Sequence, residues 1–454
     1  MNSVLYGYSV SGATWLYLSA LLIIGVYFRF NRLWSRRNLD LILLLALSPG
    51  LLLIRVTTEV GDGGAHARGV GYGLLLGVSA LMLVRVLVDP FSRWRPRFDQ
   101  NMNSAGMTWL ACCALIFMGT RAIIDQIPAE TESTVERAEQ IVAAQATPSA
   151  VPDPFRPATG PTAPLVAAPL QMMFASLTPP ILAIASHVAV LIGLLLISRK
   201  LFDDLQSGVA MAALYLLLPC TAFDVGAVNH VLPGAFLLWA VAMHRRPVVS
   251  GILVALACGA LVFPLFVVPL WIGYYGRAGW KRFMTGFVAS AAVLLASFAL
   301  TSADAQQFVE QTTGTMRWYR SVLQSPVFEA TAEAPLVRAT DPTVFWDPAS
   351  YWEPYRLPVI TLSVLMTIIM TVWPRPKTLE LLIAQQTATI IAVEFWQPDR
   401  ACSYVLWYLP LLLVLMFRPR LPGVFDASEA TATRIRSRPG LPPTRLAQPF
   451  SKLR

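Results

Sequence analysis

Apolar runs of about 15 to 20 residues recur along the chain, broken by short polar segments, and each is close to the length a helix needs to cross a ~30 Å hydrocarbon layer. They predict spans near 10–28, 38–54, 70–88, 105–124, 178–197, 207–222, 229–243, 281–301, 357–373, 377–395 and 402–417. Residues 247–276, ending SGILVALACGALVFPLFVVPLWIGYYG, form a further run. At ~1.5 Å per residue it is too short for two full crossings and long for one. HRRP precedes it and GRAGWKR follows, so both flanks are basic and belong on the same side. Pro264 breaks it into two short helices, a hairpin that need not cross fully. The expected fold is all-α and polytopic, with about 11 full spans and one Pro-broken hairpin.

Composition agrees: the chain is 56% hydrophobic and 13% charged, against a usual charged share of roughly 25%. The opening MNSVLYGYSV lacks the basic region of a cleavable signal peptide. Cys112, Cys113, Cys220, Cys258 and Cys402 lie in or beside apolar runs without a C-x-x-C pair, and read as small packing residues. A net charge of +9 invites a nucleic-acid reading, but the basic residues sit in short loops and in the tail, so no nucleic-acid partner is expected. With the N-terminus outside, one set of loops plus the tail collects most of the Lys and Arg, while the opposite set collects most of the Asp and Glu. That asymmetry places the C-terminal tail in the cytoplasm, with membrane lipids around the spans. The chain divides into a three-span segment (1–104), a membrane core (105–417) and a basic, Pro-rich tail (418–454) expected to be disordered.

Two segments on the outer side are long enough to carry function. Residues 125–177 open with the acidic, helix-forming DQIPAETESTVERAEQIVAAQA and turn Pro/Ala-rich. Residues 302–356 gather Trp318, Tyr319, Trp346 and Trp352 among Arg317, Arg320 and Asp347, a mixture that suits either interfacial anchoring or a sugar joined to a lipid phosphate. Inside the spans, His187 reads as a neutral imidazole bonded to a neighbouring helix, and Glu394 as an acid that snorkels or faces a cavity. The turn FDVGAVNHVLPG, residues 223–234, carries Asp224, Asn229 and His230, and places Asp224 and His230 where water is expected to reach them. The phosphate loop of nucleotide-driven pumps, the nucleophile elbow and the H-E-x-x-H zinc motif are all missing from the sequence, and no metal ligand set is expected.

The stretch LLLPCTAFDVGAVNHVLPGAFLLWAVAMHRRPVVSGILVALACGALVFPLFVVPLWIGYYGRAGWKRF follows a long outer loop, a crossing, a short basic loop and a further crossing. It resembles the membrane glycosyltransferases of the GT-C superfamily, most closely the polyprenyl-phosphate-mannose-dependent mannosyltransferase-like branch. Gly226, Asn229, Gly251 and Pro264 carry the resemblance, and CSYVLWYLPLLLVLMFRPR resembles that branch's last span. Two positions depart from it: Ala227 stands where Gln is expected, and apolar Val262 and its neighbours where a Lys is common. The resemblance spans residues 105–417 and implies transfer of a sugar from a polyprenyl-phosphate donor to an acceptor at the outer face, with no cofactor. It implies a catalytic carboxylate close after a span at the start of the first large outer loop, which falls on Asp125; Glu59 and Asp62 lie in a loop too short for that role. Asp224, Asn229, His230, Arg317, Trp318 and Arg320 are then the candidates for binding substrate. A transporter or flippase for an amphipathic substrate, and a non-catalytic scaffold of the same fold, are the competing readings.

Overall fold

A computed structural model describes residues 12–60, 64–91, 98, 100–143, 160–302, 305, 308, 355–397 and 401–419. Among them every regular element is helical, and residues up to Phe417 form one compact unit. The chain is a polytopic all-α membrane protein. Its first helices are α1 (Gly12–Tyr27), α2 (Arg36–Val60), α3 (Ala65–Val88) and α4 (Ser104–Ile124). Then come α5 (Ala129–Ala143), α6 (Thr162–Phe174), α7 (Thr178–Ile197), α8 (Leu205–Leu217), the short α9 (Pro219–Phe223) and α10 (Val228–Ala242). The remainder are α11 (Pro247–Ala260), α12 (Val268–Thr301), α13 (Arg356–Val372), α14 (Leu379–Trp396) and α15 (Ala401–Phe417).

Apolar sequence alone does not separate centre from rim in a membrane bundle, because lipid is as apolar as a protein core. Burial does. Helices α8, α10 and α14 are buried around almost their whole circumference, as is α15 from Tyr404 on. In contrast α1, α4 and α13 present Tyr17, Leu21, Trp109, Ile116, Leu362 and Ile368 outward, as rim helices facing lipid do. The three N-terminal helices are joined to the core by buried or half-buried polar contacts. Tyr27 Oη donates to Ala210 O at 2.8 Å and Ser79 Oγ to Glu394 Oε2 at 3.0 Å. Of the two readings of Glu394, snorkelling is therefore excluded: it is fully buried and ties α14 to α3.

The hairpin at 247–276 forms as its flanks and proline predict. Helix α11 ends at Ala260, a 3-10 turn holds Pro264, and the first part of α12 runs back until Gly276, whose φ of +53° and ψ of −156° interrupt the helix. Tyr275 Oη donates to His244 O at 2.7 Å, so the segment ends where it began. The rest of α12 then leaves alongside α11 through glycine contacts. A Cβ on Gly251 would lie 2.1 Å from Phe283 O, and one on Gly286 2.1 Å from Val248 O, so only glycine allows this approach.

The Pro/Ala-rich part of the 125–177 loop differs from its reading as plain loop, because Thr162–Phe174 is helix α6. Pro164 lies in its first turn, where the missing N–H costs nothing. Its alanines Ala163 and Ala167 are fully buried in a small second core with Ala138 of α5, Leu182 of α7 and Leu232 of α10. Helices α5 and α6 thus form a pair seated over one end of the bundle. The tail beyond residue 419, most of the 302–356 loop and the side chains of Glu59, Asp62 and Cys402 lie outside the described residues.

Candidate functional site

Helix α4 ends at Asp125, whose extended backbone stops the helix. Arg121, one turn earlier, donates to one oxygen of that carboxylate, Oδ2, from both Nε at 2.9 Å and Nη2 at 2.6 Å, a charge-assisted contact. The same guanidinium donates from Nη1 to Ala222 O of α9 at 2.8 Å. The Asp125 side chain nevertheless keeps 43% exposure, so the carboxylate is positioned without being closed off. It lies on a shallow cleft of about 20 Å³ with Gln126, Pro128, Thr131, Pro179 and Gly226, room for about one water.

The other wall of that cleft is the turn 224–230, and α5 is docked on it by polar contacts. Thr131 Oγ1 donates to Gly226 O at 2.6 Å. Asn229 Nδ2 donates to Thr134 Oγ1 at 3.1 Å and to Glu130 O at 3.3 Å. His230 Nε2 meets Glu130 Oε2 at 3.0 Å, and Trp407 Nε1 donates to His230 Nδ1 at 2.9 Å. Because Nδ1 accepts, Nε2 carries the proton and donates to the carboxylate, and this network assigns the tautomer. The imidazole lies nearly coplanar with Trp407, edge to edge at 5.7 Å between centroids, and Phe263 stacks on a face of Trp407 at 3.9 Å. Gly226 has its own reason to be glycine: a Cβ there would lie 2.8 Å from Pro128 Cδ.

Below the turn, His187 performs the bonding expected of it. Its Nε2 donates to Val225 O at 3.1 Å while Nδ1 accepts from Tyr215 Oη at 2.9 Å. From the side, Arg55 of α2 donates to Phe223 O at 2.5 Å and lies 3.4 Å from Asp224 Oδ1. Two cations, Arg55 and Arg121, therefore flank α9 and the turn.

The structure thus brings Asp125, Asp224, Asn229 and His230 to one end of the bundle, in different surroundings. Water reaches Asp125 and, partly, Asp224, but Asn229 and His230 are buried at 2% and 4% exposure, against the expectation that His230 is wet. Arg317, Trp318 and Arg320 lie outside the described residues. The sequence reading passed over Glu130, Thr131, Thr134, Arg121 and Arg55. One signal was available: Glu130 and Thr134 are four apart and so share a face of the helix that DQIPAETEST predicts. No group of three or more metal-ligating side chains occurs among the described residues.

Fold and site together define a helical membrane protein with a polar, carboxylate-bearing recess at one end of its bundle. Residues 160–395, just over half of the chain, match glycosyltransferase family 87, and the chain belongs to that family. It is a membrane glycosyltransferase by family, as the resemblance to GT-C enzymes implied. The match begins at residue 160, after α5, so Asp125 and Glu130 lie outside it. No curated protein and no solved structure matches the chain.

Proposed function

We propose that the protein transfers a sugar from a polyprenyl-phosphate donor to an acceptor hydroxyl at the α5 end of the bundle, on the outer face of a bacterial inner membrane, with Asp125 as the general base. The observation that carries this reading is the position of Asp125: a water-accessible carboxylate at the end of a span, oriented by Arg121 and facing the turn that carries the family resemblance. In the reaction, Asp125 takes the proton of the acceptor hydroxyl and the oxygen attacks the anomeric carbon. The bond from that carbon to the lipid-phosphate oxygen breaks, and the phosphate leaves with the electron pair. Arg121 and Arg55 are the described cations placed to stabilise it, with Arg317 and Arg320 as further candidates from the 302–356 loop. Asn229 and His230 act in this reading by holding α5, while Asp224 and Trp318 remain candidates for direct contact with the sugar. No resident cofactor is required by this chemistry.

A hexose is far larger than the cleft, so the donor enters with α5 displaced from the turn. The contacts of Glu130, Thr131 and Thr134 then form the latch that is opened and remade. The decisive test is sugar transfer from polyprenyl-phosphate donors in membranes carrying Asp125→Asn. The amide keeps the shape but cannot take the proton, and loss of a general base costs ~10²–10⁴ in rate. Full activity in Asp125→Asn would move the base to another residue, with Glu130 first in line. Orientation is tested separately: a cysteine at position 132 reacts with an impermeant reagent in intact cells and one in the tail does not. The reverse pattern would invert the topology.

A further inference from the structure

The end of the bundle opposite α5 holds a second recess, about 410 Å³ in volume and lined by Lys200, Leu201, Met243, His244, Arg245 and Arg246 with Ala242. Helix α10 links the two ends, and its 15 residues at ~1.5 Å each separate them by ~22 Å. Lys200 lies in the π-helical turn Ser198–Phe202 that continues α7, and Arg245 and Arg246 fill the tight connection between α10 and α11. All three are exposed, and among the described residues none of them forms an ion pair. The acids closest in sequence to Lys200 do not line the recess, and Asp204 is engaged in capping α8 through the Gln206 and Ser207 amides.

The C-terminal ends of α7 and α10 answer part of this charge, since a helix end carries only about half a unit. Three permanent cations leave a clear excess. Helix α11 starts beside them with Pro247, and Arg246 as the preceding residue supplies no side-chain cap to its first turn. Its free amides add to the positive field. His244 donates from Nδ1 to Val241 O at 2.9 Å, which leaves Nε2 as the unengaged ring nitrogen. Burial, only partly offset by the Val241 hydrogen bond, and repulsion from Arg245 lower its pKa from the usual imidazole value. Topology signalling accounts for basic loops in general. It does not require a recess, and Arg277, Lys281 and Arg282 of α12 supply that signal without lining this one.

We propose that Lys200, His244, Arg245 and Arg246 form a binding site for a phosphate ester, remote from the sugar-transfer end. Guanidinium forks match phosphate oxygens, and the apolar wall of Leu201, Ala242 and Met243 suits the glycerol or acyl portion of an anionic phospholipid. A soluble phosphate ester offers the same headgroup chemistry.

The test uses the full-length purified protein. Native mass spectrometry from nanodiscs containing phosphatidic acid in neutral lipid measures the lipid retained, and thermal unfolding in neutral detergent with added inorganic phosphate or glycerol phosphate measures the soluble route. The doubly substituted Arg245→Gln/Arg246→Gln protein is expected to lose binding at least about tenfold, as removal of two charge-assisted contacts implies. The Arg277→Gln/Lys281→Gln protein, with the same loss of charge outside the recess, is expected to stay within about twofold, as a screened surface charge should. Retained lipid with no effect of soluble phosphates assigns a lipid headgroup, and protection by soluble phosphates assigns a soluble ester; both support the site. Should the Gln pair fail to fold, Arg245→Lys/Arg246→Lys carries the test: charge is kept, the forks are lost, and binding weakens only if the site is shaped. Equal losses in the two Gln pairs, an unchanged Lys pair, or no phosphate binding in the unsubstituted protein would overturn the proposal.

Discussion

Helix α10 has a histidine near each end, and the two are placed in opposite surroundings. His230 is sealed between Glu130 and Trp407, with both ring nitrogens engaged. His244, just past the other end, is half-buried beside Arg245 and uses one nitrogen on its own helix. Around His230, polar groups satisfy one another and hold α5 on the turn, and the carboxylate left open to a ligand is Asp125. Around His244 the cations outnumber every internal partner and remain available. A polar cluster inside a membrane protein is thus not a site by virtue of its polarity. What distinguishes a latch from a binding surface is whether its donors and acceptors are already paired.

That contrast breaks most sharply at His230. His230→Phe keeps an aromatic ring in place but removes the acceptor of the Trp407 N–H and the donor to Glu130 Oε2. A buried donor left without its acceptor costs about 1–3 kcal/mol, so the unfolding midpoint should fall clearly and amide exchange in α5 should rise. An unchanged midpoint with unchanged exchange would mean that the pair does not hold α5. Gly226→Ala should have a smaller effect of the same kind. The new methyl meets the Pro128 ring edge at 2.8 Å, an overpacking worth about 1 kcal/mol, and α5 exchange should rise modestly. If exchange rises elsewhere and not in α5, the contact between Pro128 and the turn is not what seats this helix.

Much of the bundle was legible because its signals are local. Apolar runs of spanning length gave the helices, and Pro264 between two basic flanks gave the hairpin, which the Tyr275–His244 contact closes. The break at Gly276 was not marked as such, since a glycine beside a basic stretch reads equally as the end of a span. Helix α6 was hidden by its prolines, although one sits where a helix accepts it. Asp125 came from the family resemblance, because a lone acid after a span has no local signature of catalysis. Glu130 was passed over because its meaning depends on His230, 100 residues away. The partner of Glu394 was hidden for the same reason: its position near a span end suggested snorkelling or a cavity, and only the packing of α3 brings Ser79 to it.

The central claim is that sugar transfer occurs at the α5 end, around Asp125. A structure of the protein with a non-hydrolysable polyprenyl-phosphate sugar analogue tests it most directly. The account predicts α5 shifted from the turn, the sugar between Asp125 and Gly226, and the phosphate directed toward Arg121 or Arg55. An analogue whose headgroup lies instead against Lys200, Arg245 and Arg246, with α5 still latched on His230, would contradict it.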